Sequence, residues 1–404
     1  MTEPTAAAQV LVTFGGLFLI GLLADLAGRH TPLPRVTLLL MSGFLIGPSV
    51  LDWLPSFTAD WFPVLTNFAL AMIGFLLGQN LTRKSLKKLG RPVLSISLGI
   101  ILVTVPTVFI GLYLLGVQAP IALLLAGIAT ATAPAATVDV VHEYRAKGPF
   151  TDTLLGIVAI DDAWGLLIFT LLLAIASAWI GDGGIAGILL TGAWEIGGAV
   201  VLGFALGLPM TYLTGRIRPG EPTQAEALGV VLLCAGIAEW LGVSYILSAM
   251  ILGAVVANLA KHHERPFRAI EGIEWPFLIL FFLLAGSALH IEALAQVGLL
   301  ATSYIALRIA SRFLGAYLGA WAIGTDGALR HWMGLALLPQ AGVAIGMALL
   351  ASLRFESFRE ILLPVVLGSS VIFELIGPIS TRFALTRAGE IQPSKQSNQG
   401  AARS

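Results

Sequence analysis

Gly127-Ile-Ala-Thr-Ala-Thr-Ala-Pro-Ala-Ala-Thr137 lies inside an apolar stretch long enough to cross a membrane, yet it cannot be one regular helix. Pro134 has no backbone donor and crowds the turn before it, while Thr130, Thr132 and Thr137 offer hydroxyls to the freed groups. In lipid such a break is tolerated only where it is buried in protein or lines a cavity. A second break, Leu338-Pro-Gln-Ala-Gly342, has the same character, with Gln340 as a polar contact and Pro339 lying 205 residues after Pro134. A simple kink explains either alone. Two breaks at corresponding positions of two halves point to a binding site between them, where half-helix ends set opposed dipoles near the midplane.

Other stretches repeat at the same offset. Met41-Ser-Gly-Phe-Leu-Ile-Gly47 matches Ser248-Ala-Met-Ile-Leu-Gly253, and Gly74-Phe-Leu-Leu-Gly-Gln-Asn-Leu81 matches Phe281-Phe-Leu-Leu-Ala-Gly-Ser-Ala-Leu289. Cutting the chain at charge clusters and Gly/Pro breaks predicts about 13 transmembrane helices, each near the ~20 apolar residues a span requires. They fall near 8–28, 35–50, 61–80, 92–116, 119–141, 152–178, 187–213, 224–241, 243–260, 274–290, 295–320, 332–351 and 361–384. The repeat offset is seven spans, an odd number, so the halves have opposite orientation. The expected fold is an all-α polytopic membrane protein with an inverted-topology repeat.

Composition agrees. Of 404 residues, 57% are hydrophobic and 11% charged, against ~25% charged in soluble chains, which excludes most soluble enzymes. Lys+Arg and Asp+Glu both number 23, so no global basic field suits nucleic acid. Cys234 is the single cysteine, excluding an internal disulfide and a cysteine metal cluster. The first apolar stretch follows Met1-Thr-Glu-Pro-Thr5, without a basic segment, and reads as a retained span. With the N-terminus outside and the C-terminus cytoplasmic, 19 of the 23 basic residues fall inside, as the positive-inside rule requires. Arg354 and Arg359 lie outside, and Arg308 and Arg312 lie within a span.

Asp161 and Asp162 are adjacent in the sixth span. An ionisable group at the bilayer centre costs ~2.5–3.5 kcal/mol on insertion scales, so the pair demands a partner, a proton or a bound cation. A structural ion pair is the plain alternative to a cation and proton site with oxygen ligands for a hard cation. Arg308 and Arg312 share one face of the eleventh span and bring the group to zero charge. Glu374, in the thirteenth span, is a candidate partner for Arg308. Glu195 and Glu239 read as interfacial. The six histidines (His30, His142, His262, His263, His290, His331) lie at edges and loops without metal-ligand spacing.

Thr130-Ala-Thr-Ala-Pro-Ala-Ala-Thr137, Asp161-Asp162 and Arg312-x-x-Gly-Ala316 together resemble the monovalent cation:proton antiporter superfamily, in its sodium/hydrogen exchanger-like, paired-aspartate form. The resemblance covers nearly the whole chain. It implies two crossed discontinuous helices in a core domain that moves like an elevator against a dimerisation domain. The transmembrane domain is then 1–384, with core helices at about 92–178 and 295–384, scaffold helices at about 8–80 and 224–290, a linker helix at about 187–213, and a cytoplasmic tail, 385–404. It further implies Asp162 as the cation and proton ligand, Asp161 as its neighbour paired with Arg312, and Thr132 with Pro134 at the crossing. Paired-aspartate members look like the electrogenic branch. Those members usually carry lysine where Arg312 stands, and Ala133 replaces the acid of a Thr-Asp-Pro crossing.

The expected function is therefore exchange of a monovalent cation, sodium first and potassium or lithium otherwise, for protons. The expected setting is a homodimer in a prokaryotic inner membrane, in contact with lipid, with no cofactor, no enzymatic reaction and no nucleic acid. The alternative is a sodium-coupled symporter of an organic anion on a related fold. A channel is disfavoured because no repeated pore loop is visible.

Overall fold

The structure is a computed structural model and describes residues 5–30, 35–55, 57–82, 90–180, 184–213, 223–260, 262, 264–288, 298–325, 327–340 and 342–391. Arg83, Lys84, Lys87, Lys88, Asp182, Arg216, Arg218, Lys261, His263, His290, Lys395 and Arg403 lie outside the described residues.

The described residues form α-helices and one 3-10 turn: α1 (Ala6–His30), α2 (Arg35–Ile46), α3 (Phe57–Gly78), α4 (Arg91–Leu114), α5 (Ala119–Ile128), α6 (Pro134–Glu143), α7 (Pro149–Ile180), α8 (Gly184–Leu213), α9 (Thr223–Leu241), α10 (Tyr245–Leu259), α11 (Glu264–Ser287), α12 (Gly298–Ala322), α13 (Ala328–Ala336), α14 (Gly342–Arg354), the turn Glu356–Phe358, and α15 (Arg359–Arg387). Eight of these helices (α1, α3, α4, α7, α8, α9, α11 and α15) are long and apolar enough to cross a membrane, and α2, α5, α10 and α14 are shorter apolar helices. α12 is long enough, but Arg308, Ser311 and Arg312 interrupt its apolar text, and all three are buried.

Proline sets several helix starts, where its missing donor costs nothing. α4, α5 and α6 each carry proline in the first turn. Ala133, just ahead of Pro134, is extended at φ −119°, ψ 93°, as the residue before a proline prefers. The stretch 119–141 therefore folds as two helices, α5 and α6, and 332–351 folds as α13 and α14. The segment expected at 274–290 begins earlier, at Glu264, and runs through Pro276.

The repeat is visible in the packing. Gly43 of α2 and Gly286 of α11 sit so close to the opposing backbone that a Cβ on either would strike a carbonyl, of Leu283 and Leu40 respectively. Gly78 of α3 and Gly253 of α10 make the same kind of crossing against Met250 and Phe75. These are the stretches whose sequences match, so one crossing occurs twice with its members exchanged. α4 packs along α12, with the Ser95 hydroxyl donating to the Gly319 carbonyl at 2.7 Å. α8 packs against both α7 and α10. The fold is the inverted repeat with two interrupted helices.

Candidate functional site

The two interrupted helices meet at their breaks. The Ala133 amide donates to the Pro339 carbonyl at 3.0 Å, and the Gln340 amide donates to the Ile128 carbonyl at 3.0 Å and to the Tyr304 hydroxyl at 3.3 Å. Gly377 of α15 lies against Pro339, leaving no room for a Cβ. Pro134, Pro339, Gln340, Thr130 and Thr132 are thus gathered at one crossing.

A helix that stops in a membrane leaves its last carbonyls without donors, and those ends carry partial negative charge. Two arginines from α12 meet them. Arg308 donates to the carbonyls of Ala129 (3.2 Å), Ala131 (2.8 Å) and Leu338 (2.8 Å), so it holds the ends of both half-helices. Its guanidinium also lies 4.2 Å over the Phe373 ring. Arg312, one turn further along, donates to the carbonyls of Ala129 (3.3 Å), Thr130 and Ala131 (2.9 Å). Its other terminal nitrogen donates to Asp161 Oδ2 at 3.0 Å. Arg308, Arg312 and Asp161 are each 0% exposed, which makes this a fully desolvated ion pair.

Asp162, on the next position of α7, lies beside the main-chain amide of Thr132, in the break two residues ahead of α6. An anion at a helix N-terminus is the favourable sense of the dipole. α7 reaches the crossing because Gly165 lies against Thr130, whose hydroxyl donates to the Gly127 carbonyl at 2.7 Å. Four buried oxygens here have no hydrogen-bond partner: Asp161 Oδ1, Asp162 Oδ1, Thr132 Oγ1 and Gln340 Oε1. They are donor atoms of the type a hard monovalent cation takes, and Asp162 can hold a proton instead.

One expected pairing is corrected. Glu374 does not reach Arg308; it accepts from the Thr37 hydroxyl of α2. Phe373 and Gly377 are four apart and face the crossing, so the adjacent position 374 is rotated about 100° away. Arg308 is satisfied by carbonyls and an aromatic face. Glu195, read as interfacial, is 6% exposed and pairs with Arg354 at 2.6 Å, tying α8 to the end of α14. Tyr304 was not singled out from the sequence, although it shares a helical face with Arg308 and Arg312 at positions four apart.

A buried crossing of two interrupted helices, balanced by two arginines and two aspartates, defines an ion carrier of the inverted-repeat class. The chain belongs to the sodium/hydrogen exchanger family, whose transmembrane profile matches residues 14–387. It is 21% identical over 381 residues to the ammonium/H+ antiporter subunit AmhT of Alkalihalophilus pseudofirmus, covering 92% of this chain and 95% of that one. Its fold is similar to the sodium proton antiporter MjNhaP1 of Methanocaldococcus jannaschii at pH 8, with a TM-score of 0.70, 19% identity and coverage of 94% and 96% of the two chains. An electron-microscopy structure of that protein matches with a TM-score of 0.69 and 18% identity, covering 95% and 99%. The protein is thus an integral membrane protein of a cation:proton antiport family, which moves ions, catalyses no covalent reaction and carries no cofactor.

Proposed function

We propose that this protein exchanges sodium for protons across a prokaryotic inner membrane, with Asp162 binding the cation or a proton but not both. The single observation that carries the reading is the set of unpartnered oxygens on Asp161, Asp162, Thr132 and Gln340 at a buried helix crossing. Arg312 pairs with Asp161 and orients it, while Arg308 and Arg312 hold the half-helix ends that shape the site. With two arginines and two aspartates the empty site is neutral; a bound Na+ or a bound H+ each adds one charge. The two loaded states therefore match in charge, so one-for-one exchange at Asp162 moves none. A second proton, where one is carried, rides on Asp161 or Glu374, because arginine does not release its own.

Alternating exposure follows the elevator division: core helices at about 92–178 and 295–384 move against scaffold helices at about 8–80 and 224–290 of a homodimer, with α8 as linker. The packing of α8 on both α7 and α10 supports that division. The N-terminus faces outward and the C-terminal end of α15 faces the cytoplasm. The relative named for ammonium adds that cation to those worth titrating.

The test is proton flux in proteoliposomes titrated with Na+, Li+, K+ and NH4+ at several pH values. Saturable, Na+-dependent proton movement is expected. A proton flux indifferent to all four cations overturns the reading.

A further inference from the structure

α7, the helix that carries Asp161 and Asp162, lacks a local cap. The residue before Pro149 is Gly148, which has no side chain to offer the first-turn amides. They are bonded from 240 residues away: Glu390, three residues beyond the end of α15, accepts from the Phe150 amide through Oε1 (2.8 Å) and from the Thr151 amide and hydroxyl through Oε2 (2.7 Å each). A carboxylate there also meets the positive end of the helix dipole.

The main chain is tied at the same place. The Lys147 amide donates to the Glu390 carbonyl at 3.2 Å, and the Glu390 amide returns to the Leu385 carbonyl at 3.2 Å after Gly389 turns the chain at φ +75°. Gly148, at φ +152°, lies against the carboxylate, and a Cβ there would collide with it. The cradle therefore requires glycine on one side and an acid on the other. Arg382 stacks over Tyr144 at 4.8 Å, and the Thr381 hydroxyl donates to the Ala336 carbonyl at 3.0 Å. The end of α15 thus also holds the loop after α6 and the end of α13.

We propose that Glu390 is a positioning residue for the ion site: a long-range cap that fixes the start of α7 and, through that unbroken helix, the height of Asp161 and Asp162 against the crossing. Asp161 follows Phe150 by 11 residues, about 17 Å along the axis, with no proline or glycine kink except Gly156, which packs on Val93. Loosening the start of α7 lets both carboxylates shift relative to Thr132, whereas the bonds of Arg308 to the half-helix ends stay in place. The inference rests on the reading of Asp161–Asp162 as the transport site.

The experiment compares Glu390→Ala, Glu390→Gln and Gly148→Ala in the full chain, using hydrogen exchange by mass spectrometry and Na+-dependent proton flux in liposomes. Glu390→Ala and Gly148→Ala are expected to speed amide exchange over residues 150–165 about five-fold, the factor that loss of a helix cap represents, with α4 unchanged. Both are expected to raise the Na+ concentration for half-maximal flux by a similar factor, with a smaller change in maximal rate. The double variant is expected to be no worse than the worse single one. Glu390→Gln, which keeps an acceptor, lies between and decides the matter if Glu390→Ala does not fold. Unchanged exchange over 150–165, or a lower melting temperature with unaltered Na+ dependence, overturns the proposal. Absence of Na+-dependent flux in the unaltered protein refutes the transport reading instead, and the amide-exchange comparison stands apart from it.

Discussion

Replacing Arg312 with alanine tests the site's electrostatics most sharply, because the structure separates what is lost from what is kept. Arg312 holds Asp161 and three carbonyls, but Ala129 and Ala131 are also held by Arg308. Arg312→Ala therefore orphans the Asp161 carboxylate and the Thr130 carbonyl. Removing one partner of a buried ion pair costs ~3–5 kcal/mol, and an unmade buried hydrogen bond adds ~1–3 kcal/mol. Asp161→Asn in the same background removes the charge and leaves only the carbonyl without its donor. The double variant is thus expected to be more stable than Arg312→Ala alone by up to ~3–5 kcal/mol, and the coupling in a double-mutant cycle exceeds that rescue by the cost of Asp161→Asn alone, which leaves Arg312 unpaired. The assay is thermal or denaturant unfolding in detergent of the parent, both singles and the double. Additive effects, within ~0.5 kcal/mol, would refute the pairing as an energetic unit.

Three further outcomes follow from the same geometry. Asp161→Asn is expected to leave one-for-one exchange measurable in liposomes and to abolish any potential dependence that a second proton on Asp161 confers; a potential dependence identical to that of the unaltered protein removes Asp161 from charge movement. Arg308→Lys is expected to destabilise the protein almost as much as Arg308→Ala, by ~2–4 kcal/mol, because an ammonium cannot span carbonyls of Ala129, Ala131 and Leu338 as the planar fork does; unfolding in detergent measures it. Glu374→Gln is expected to cost under ~1.5 kcal/mol and to add independently to Arg308→Ala, since Glu374 bonds to Thr37; strong coupling between the two would restore the Arg308–Glu374 pair.

Much of the fold was readable because membrane helices are read from proline and charge. Pro134 and Pro339 announce the two breaks, and the stretches around Gly43, Gly78, Gly253 and Gly286 carry the repeat because close backbone approach tolerates only small residues. The site was readable in its membership, since few polar residues are placed mid-span without a reason. Its connectivity was not. Arg308 looked like a residue in need of a carboxylate, but half-helix ends supply carbonyls that no sequence pattern displays. Glu374 was assigned by its charge, whereas one step of helical rotation turns it from α12 toward α2. Glu195 and Arg354, 159 residues apart, carry no local signal of pairing. Glu390 was read as part of a cytoplasmic tail, because a remote cap has no sequence signature, unlike the Ser244 cap of α10, which accepts from the Leu247 amide at 3.3 Å.

The central claim, that Asp162 holds either a cation or a proton, is tested most directly by calorimetric titration of the purified protein with Na+ over a range of pH in buffers of different ionisation enthalpy. Competition at one carboxyl predicts about one proton released per Na+ bound, an apparent affinity that falls about ten-fold per pH unit on the acid side, and no binding by Asp162→Asn. Na+ binding without proton release, or undiminished binding by Asp162→Asn, contradicts it.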